Sequence, residues 1–381
     1  MVTDAPESPR LDLDKVLADR GIRIVVCCGA GGVGKTTTAA ALALRAAERH
    51  GRRTVVLTID PARRLAQSMG LTELDNTPRQ VKGVLPTNGG ELQAMMLDMK
   101  RTFDEVVLAH TDPARAEEIF ANPFYQAMSS TFAGTQEYMA MEKLGQLRAR
   151  DEWELIVVDT PPSRSALDFL DAPARLGRFL DGRMLRLLLA PARAGGRSVF
   201  NLVSASFNLF SRAVTKVLGT QLLTDLSGFV AALDSMFGGF RERAEQTYRI
   251  LQARETAFLI VAVAEPDAIR EAAYFTGRLA AERMPLAGLV LNRVAAVSAP
   301  ALSAERARAA AVRLGESGDA VVTADVLRVH ADLVDQAARQ AGVTARFVRE
   351  YPNVPLVRVP AQPADVHDID GLRVIGDRLG G

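Results

Sequence analysis

The chain has 381 residues, enough for two domains or for one large α/β domain carrying an insertion. Apolar residues make up 48% and charged residues 24%, a globular balance that excludes a disordered or fibrous chain. Lys plus Arg number 46 and Asp plus Glu 45, so the net charge of +1 gives no general pull toward nucleic acid or an anionic membrane.

Residues 1–20 are acidic and polar, lack the apolar stretch of a secretion signal, and read as a flexible tail. The first strand is predicted over Ile22–Cys28 and ends in the chain's two cysteines, Cys27 and Cys28. Adjacent cysteines cannot build a disulfide framework or a CxxC zinc site, which points to a reducing, cytoplasmic setting. They read as small buried residues at a strand end; reactive thiols beside a helix N-terminus are the other reading.

Gly29-Ala-Gly-Gly-Val-Gly-Lys35-Thr36-Thr37 follows, and an Ala-rich helix runs on to Arg49. This is G-x-x-x-x-G-K-[ST] between a strand and a helix, the setting in which that spacing cradles phosphates. Gly29, Gly31, Gly32, Val33 and Gly34 bring backbone N–H groups close to an anion at the positive end of the helix. Lys35 is expected to reach the β- and γ-phosphates, Thr36 to hold Mg²⁺ through its hydroxyl, and Thr37 to donate to the α-phosphate. The ligands expected from the loop are therefore a nucleoside triphosphate and Mg²⁺.

A second strand, Thr54–Ile59, runs into Asp60-Pro-Ala-Arg-Arg64, and a third is predicted over Leu92–Asp98. Residues 111–150 read as helix only. Strand Leu155–Asp159 ends in Asp159-Thr-Pro-Pro-Ser163. In an open α/β sheet, ligands bind beyond the carboxyl ends of the strands, so Asp60 and Asp159 are expected beside the loop. Asp159 suits Mg²⁺ binding, and Asp60 suits orienting or deprotonating the attacking water. Arg63, Arg64 and Arg164 read as solvated surface charges, with neutralisation of transition-state charge the alternative.

Residues 171–254 carry no strand signal. Within them Phe200, Val203, Phe207, Phe210, Val214 and Val217 recur at helical spacing opposite polar positions. Such faces either pack together as core or form a groove for an apolar client. Strands follow over Phe258–Val263 and Leu286–Asn292, then a helical stretch over 301–350, then a last strand at Val354–Val357. Asn292 closes its strand and has the donor and acceptor to pair with adenine N6 and N7; a turn residue is the other reading. The alternation predicts an α/β fold: a P-loop NTPase with a mostly parallel sheet flanked by helices, plus a helical subdomain. The core is expected over 21–110, 151–170 and 255–375, and the subdomain over 111–150 and 171–254.

The segments GAGGVGKTTTAAALAL, LTIDPARRLAQSMG, LIVVDTPPSRSALDFLDAP and LVLNRV, in this order and spacing, resemble the ArsA/guided-entry ATPase family. The likeness spans roughly residues 22–375, and the strings around Asp60 and Asp159 separate the family from the MinD/ParA and nitrogenase iron protein relatives. It implies ATP as the nucleotide and a dimer as the working form. It implies loop residues Gly31 to Thr37, a switch I aspartate at Asp60 for the hydrolytic water, a switch II aspartate at Asp159 near Mg²⁺, and an adenine-reading asparagine at Asn292. It also implies a hydrophobic protein client or membrane-protein partner for the helical region, and no nucleic acid.

Three departures stand out. The family loop carries a lysine, which crosses the dimer, where this chain has Ala30. The separated cysteines of arsenite binding and the zinc CxxC of the eukaryotic targeting ATPases are both missing. Loss of a charge-stabilising group costs several kcal/mol of barrier, on the order of 3. The chain is therefore read as an ATPase in a homodimer, or as a catalytically weak subunit paired with a paralogue.

Overall fold

The structure, a computed structural model, describes residues 8–59, 64–71, 73–86, 88–123, 125, 126, 129, 135–161, 242–317 and 320–380. Asp60, Arg63, Arg164 and the apolar residues Phe200 to Val217 lie outside them.

One eight-stranded sheet carries the architecture, in the order β3-β4-β2-β5-β1-β6-β7-β8. The strands are β1 Ile24–Cys28, β2 Arg53–Thr58, β3 Arg79–Gln80, β4 Glu91–Met96, β5 Leu155–Asp159, β6 Thr256–Val263, β7 Leu286–Val294 and β8 Leu356–Pro360. All neighbours run parallel except β3, which pairs antiparallel with β4. Parallel strands covered on both faces need unbroken apolar runs. The central strands comply: every residue of β1 and β5 is buried, as are seven of the eight in β6. All seven predicted strands are present. The eighth, β3, consists of two exposed polar residues and leaves no hydrophobic signal.

The helices include α1 Leu13–Ala18, α2 Lys35–His50, α3 Arg64–Ser68, α4 Met99–His110, α5 Pro113–Ala121, α6 Thr135–Arg150, α7 Pro266–Ala281, α8 Ala304–Ser317, α9 Val321–Glu350 and α10 Ile369–Leu379. Helix α2 buries Ala39 to Leu44 together with Ala46 and Ala47, and the alanines among them let it lie close on the sheet. It stops at Gly51, whose left-handed φ of 58° lets its N–H close on the Ala46 carbonyl. Leu372, Ile375 and Leu379 of α10 share one apolar core with α2.

The flexible tail expected over 1–20 is corrected for residues 9–18. Leu356 N donates to the Pro9 carbonyl at 2.8 Å, and Leu11 N donates to the Leu356 carbonyl at 3.0 Å. Leu13 and Leu17 of α1 are fully buried. Alternating acidic residues hide this apolar set in the sequence; burial of Leu11, Leu13 and Leu17 offsets part of the cost of ordering the segment, and its backbone bonds to Leu356 add to that.

The chain divides into two compact units: Met1–Met96, Arg150–Leu167 and Ile250–Gly381 form one, and Leu97–Ala149 with Asp168–Arg249 the other. The first holds the sheet. The described part of the second is helical, with α4 and α5 capped by Asp98 and Asp112, whose carboxylates accept the N–H of Arg101 and Arg115. Inside this unit Arg243 grips Glu142 through both carboxylate oxygens, at 3.1 and 3.0 Å, and Lys143 pairs with Glu105 at 2.9 Å. Among the described residues no helix is long and apolar enough to cross a membrane.

Candidate functional site

Strand β1 lies mid-sheet between β5 and β6, while the chain passes from β1 through α2 to β2 on the far side of β5. That change of direction opens a crevice beyond the carboxyl end of β1, where ligands of such sheets bind. Residues 29–34 fill it as a loop, and α2 begins at Lys35.

Two glycines have no substitute here. A Cβ on Gly29, at φ 150°, would stand 2.0 Å from the Val261 carbonyl oxygen. A Cβ on Gly34, at φ 94°, would stand 2.3 Å from Asn292 Nδ2. The loop is therefore pressed against β6 and β7. Asn292 ties it there: Nδ2 donates to the Val33 carbonyl at 2.9 Å, and Oδ1 accepts from Arg293 N at 2.9 Å. The second bond helps to hold Arg293 at φ 54°, a left-handed conformation that costs an L-residue about 1 kcal/mol. An amide has two N–H groups and two lone pairs, so one of each is left over for a base edge.

Lys35 is buried, and its ammonium donates to the Ala30 carbonyl at 2.7 Å across the mouth of the loop. Thr36 Oγ1 donates to Asp159 Oδ2 at 2.8 Å, which joins the first turn of α2 to the end of β5. Thr58, the last residue of β2, donates to the same oxygen at 2.9 Å. Ile59 N bonds the Asp159 carbonyl at 2.9 Å, and Thr160 Oγ1 bonds the Cys27 carbonyl at 2.8 Å. The ends of β1, β2 and β5 are thus tied around one buried carboxylate.

Cys27 and Cys28 are buried and unlinked. Burial pushes the Cys28 thiol up to about 12 and Cys27 well above its ordinary range, with the nearby Asp159 charge adding to the latter. Both stay protonated at neutral pH, which removes the reactive-thiolate reading.

Two cavities flank the loop. One, about 290 Å³, is lined by Gly34, Thr37, Asn292, Arg293, Gln362 and Asp365 among others. The other, about 650 Å³, runs along Ala30 to Val33 and is bounded by Glu265, Arg293 and Gln340. The donor set fits the expected groups. A hydroxyl and a carboxylate are hard oxygen ligands, and Mg²⁺ is held by one or two such groups plus phosphates rather than by a protein cage. Among the described residues no group of three or more His, Cys, Asp or Glu side chains could hold a metal ion. A buried ammonium, a helix N-terminus and a glycine loop suit a polyphosphate.

Of the residues expected from sequence, Gly29, Gly31, Gly32, Val33, Gly34, Lys35, Thr36, Thr37, Asp159 and Asn292 gather at this end of the sheet, and Asp60 lies outside the described residues. Thr58 and the tie from Asn292 to Val33 went unread. The first looks like ordinary strand filling, and the second spans 259 positions. The clue to Thr58 is a hydroxyl at the end of a buried strand, two residues ahead of an aspartate.

Residues 22–311 match the family model described as Anion-transporting ATPase. The protein named ATPase GET3 of Malassezia globosa is 29% identical over 170 residues, 44% of this chain and 47% of that protein. The ATPase ASNA1 homolog 1 of Paramecium tetraurelia is 29% identical over 161 residues, 42% and 46% of the two chains. An uncharacterized protein of Streptomyces coelicolor is 32% identical over 181 residues, 47% and 43%. The chain spans about half the length of the relatives it matches.

Proposed function

The chain belongs to the anion-transporting ATPase family, and from that premise we propose that it binds and hydrolyses ATP with Mg²⁺ in the loop at 29–37. Opening and closing of a dimer then drives the helical subdomain, taken as 111–150 and 171–254, against a hydrophobic protein client or membrane-protein partner. The observation that carries the nucleotide reading is the bond from Thr36 to Asp159 at the foot of a loop that also holds the Lys35 ammonium. The two unlinked cysteines support a cytoplasmic setting.

Lys35 leaves the Ala30 carbonyl for the β- and γ-phosphates, and backbone N–H groups of 31–37 surround them. Thr36 and Asp159 are the residues that would hold Mg²⁺. Bound Mg²⁺ supplies charge neutralisation at the phosphate oxygens. Asp60 orients the water that attacks the γ-phosphorus, and Asn292 offers its spare donor and acceptor to adenine. The 290 Å³ cavity at Gly34 and Asn292 has walls suited to the nucleoside.

Ala30 favours a second reading. It presents only a methyl group, packed on the core, where the family places a lysine aimed at the partner's phosphates. This chain then acts as a nucleotide-bound, weakly catalytic half of a heterodimer with a paralogue. Steady-state phosphate release separates the readings. The first predicts turnover by the pure chain, lost in Lys35→Ala; the second predicts turnover only on mixing with the paralogue. Turnover by the pure chain that survives Lys35→Ala overturns the site assignment itself.

A further inference from the structure

Asp159 is fully buried, and its Oδ2 accepts hydroxyl hydrogen bonds from two separate elements. Thr36 reaches it from α2 at 2.8 Å and Thr58 from β2 at 2.9 Å. Resting on the nucleotide reading above, we propose that Thr58 is a positioning residue for the metal site, fixing the Asp159 carboxylate so that it and Thr36 meet Mg²⁺ together.

Thr58 and Asp159 are direct partners in the parallel pair of β2 with β5, so their side chains start from adjacent strand ends. The backbone is pinned at the same place by Ile59 N on the Asp159 carbonyl, at 2.9 Å. Thr58 is buried and needs an acceptor. The other β2 threonine, Thr54, bonds the carbonyl of Arg52, the residue just before its own strand, at 3.2 Å. Thr58 instead bonds a carboxylate on the neighbouring strand, and a hydrogen bond to a charged acceptor is about twice as strong as a neutral one. A single hydroxyl lets a carboxylate swing about its last torsion. Two hydroxyls arriving from fixed elements set its plane. Groups that orient a metal ligand in this way change metal affinity by about 10- to 100-fold when removed. Thr58 is buried and its hydroxyl donates to Asp159, so its effect on the metal passes through that carboxylate.

The test is calorimetric titration with ADP, with and without Mg²⁺, on the full chain. Thr58→Val keeps the shape of the side chain and deletes the hydroxyl; Thr58→Ser keeps the hydroxyl. The expected result is that Mg²⁺ tightens ADP binding in the wild type, that this gain falls about tenfold in Thr58→Val, and that Thr58→Ser retains it. Affinity without Mg²⁺ stays the same in all three. Thr58→Ala repeats the loss of the hydroxyl at smaller volume, so a Thr58→Val chain that fails to fold does not end the test. A full Mg²⁺ gain in the variants lacking the hydroxyl overturns the proposal. So does equal loss of Mg²⁺-free affinity in Thr58→Val and Thr58→Ser, which marks a purely structural side chain. A wild type whose ADP affinity ignores Mg²⁺ overturns the Mg²⁺ part of the reading above, and the proposal with it; a folded wild type that binds no ADP overturns the nucleotide reading itself.

Discussion

Gly34→Ala tests how tightly the loop is held against β7. The new Cβ would stand 2.3 Å from Asn292 Nδ2, and the residue would keep a φ of 94°. The φ alone costs an L-residue about 1–2 kcal/mol. Asn292 is short and held at both ends of its amide, so it yields only by giving up its bond to the Val33 carbonyl. Leaving that acceptor unmatched costs about 1–3 kcal/mol. The expected destabilisation is about 2–5 kcal/mol. Asn292→Ala removes the same bond and also the clash. The double variant loses that bond only once, so it should be more stable than the sum of the single losses by about 1–3 kcal/mol. The chain has one tryptophan, Trp153, buried beside β5 in the unit that holds the loop. Its fluorescence during urea unfolding reports this unit directly. A Gly34→Ala loss below about 1 kcal/mol, or additivity within about 0.5 kcal/mol, refutes the clamp.

Arg52 is fully buried, and its guanidinium serves the carbonyls of Leu17, Asp19, Ile22 and Glu154. Burial lowers it to about 10, so it is still charged at neutral pH. Arg52→Met leaves these buried carbonyls without their donor at about 1–3 kcal/mol each, so it should lower stability in urea by at least about 3 kcal/mol, and a loss under about 1 kcal/mol would show the cluster to be dispensable. Asp14 takes a bidentate bond from Arg45, at 2.7 Å to each oxygen, and sits 2.8 Å from His50. The Arg45 bond, with His50 adding, holds its carboxyl below the usual range, so its contribution is full above about pH 4 and fades as pH falls through the lowered value. Asp14→Asn should lower stability at pH 7 by about 1 kcal/mol and flatten the acid limb of a melting-temperature profile; parallel profiles would contradict it.

How much could be read in advance follows from burial. Strands covered on both faces must be apolar throughout, which is why β1, β5, β6 and β7 stand out as runs. Strand β3 has two exposed residues, Arg79 and Gln80, and no pattern to find. Leu11, Leu13 and Leu17 sit among aspartates, so α1 reads as tail although its leucines are buried. The phosphate loop was legible because phosphate geometry demands glycines and a lysine at fixed spacing. Thr58 was not, because a buried threonine at a strand end is common and only the neighbouring strand shows what its hydroxyl meets. The double engagement of Asn292 depends on Val33, far away along the chain, and emerges only when β7 lies beside the loop.

The central claim is that residues 29–37, with Asp159, form a site for ATP and Mg²⁺. Calorimetric titration of the full chain with a non-hydrolysable ATP analogue tests it directly, in the presence of Mg²⁺, alongside Lys35→Ala. Saturable binding at one site per chain is expected in the wild type, and loss of tight binding in the variant. Binding left unchanged by Lys35→Ala, or no binding by a folded wild-type chain, would contradict it.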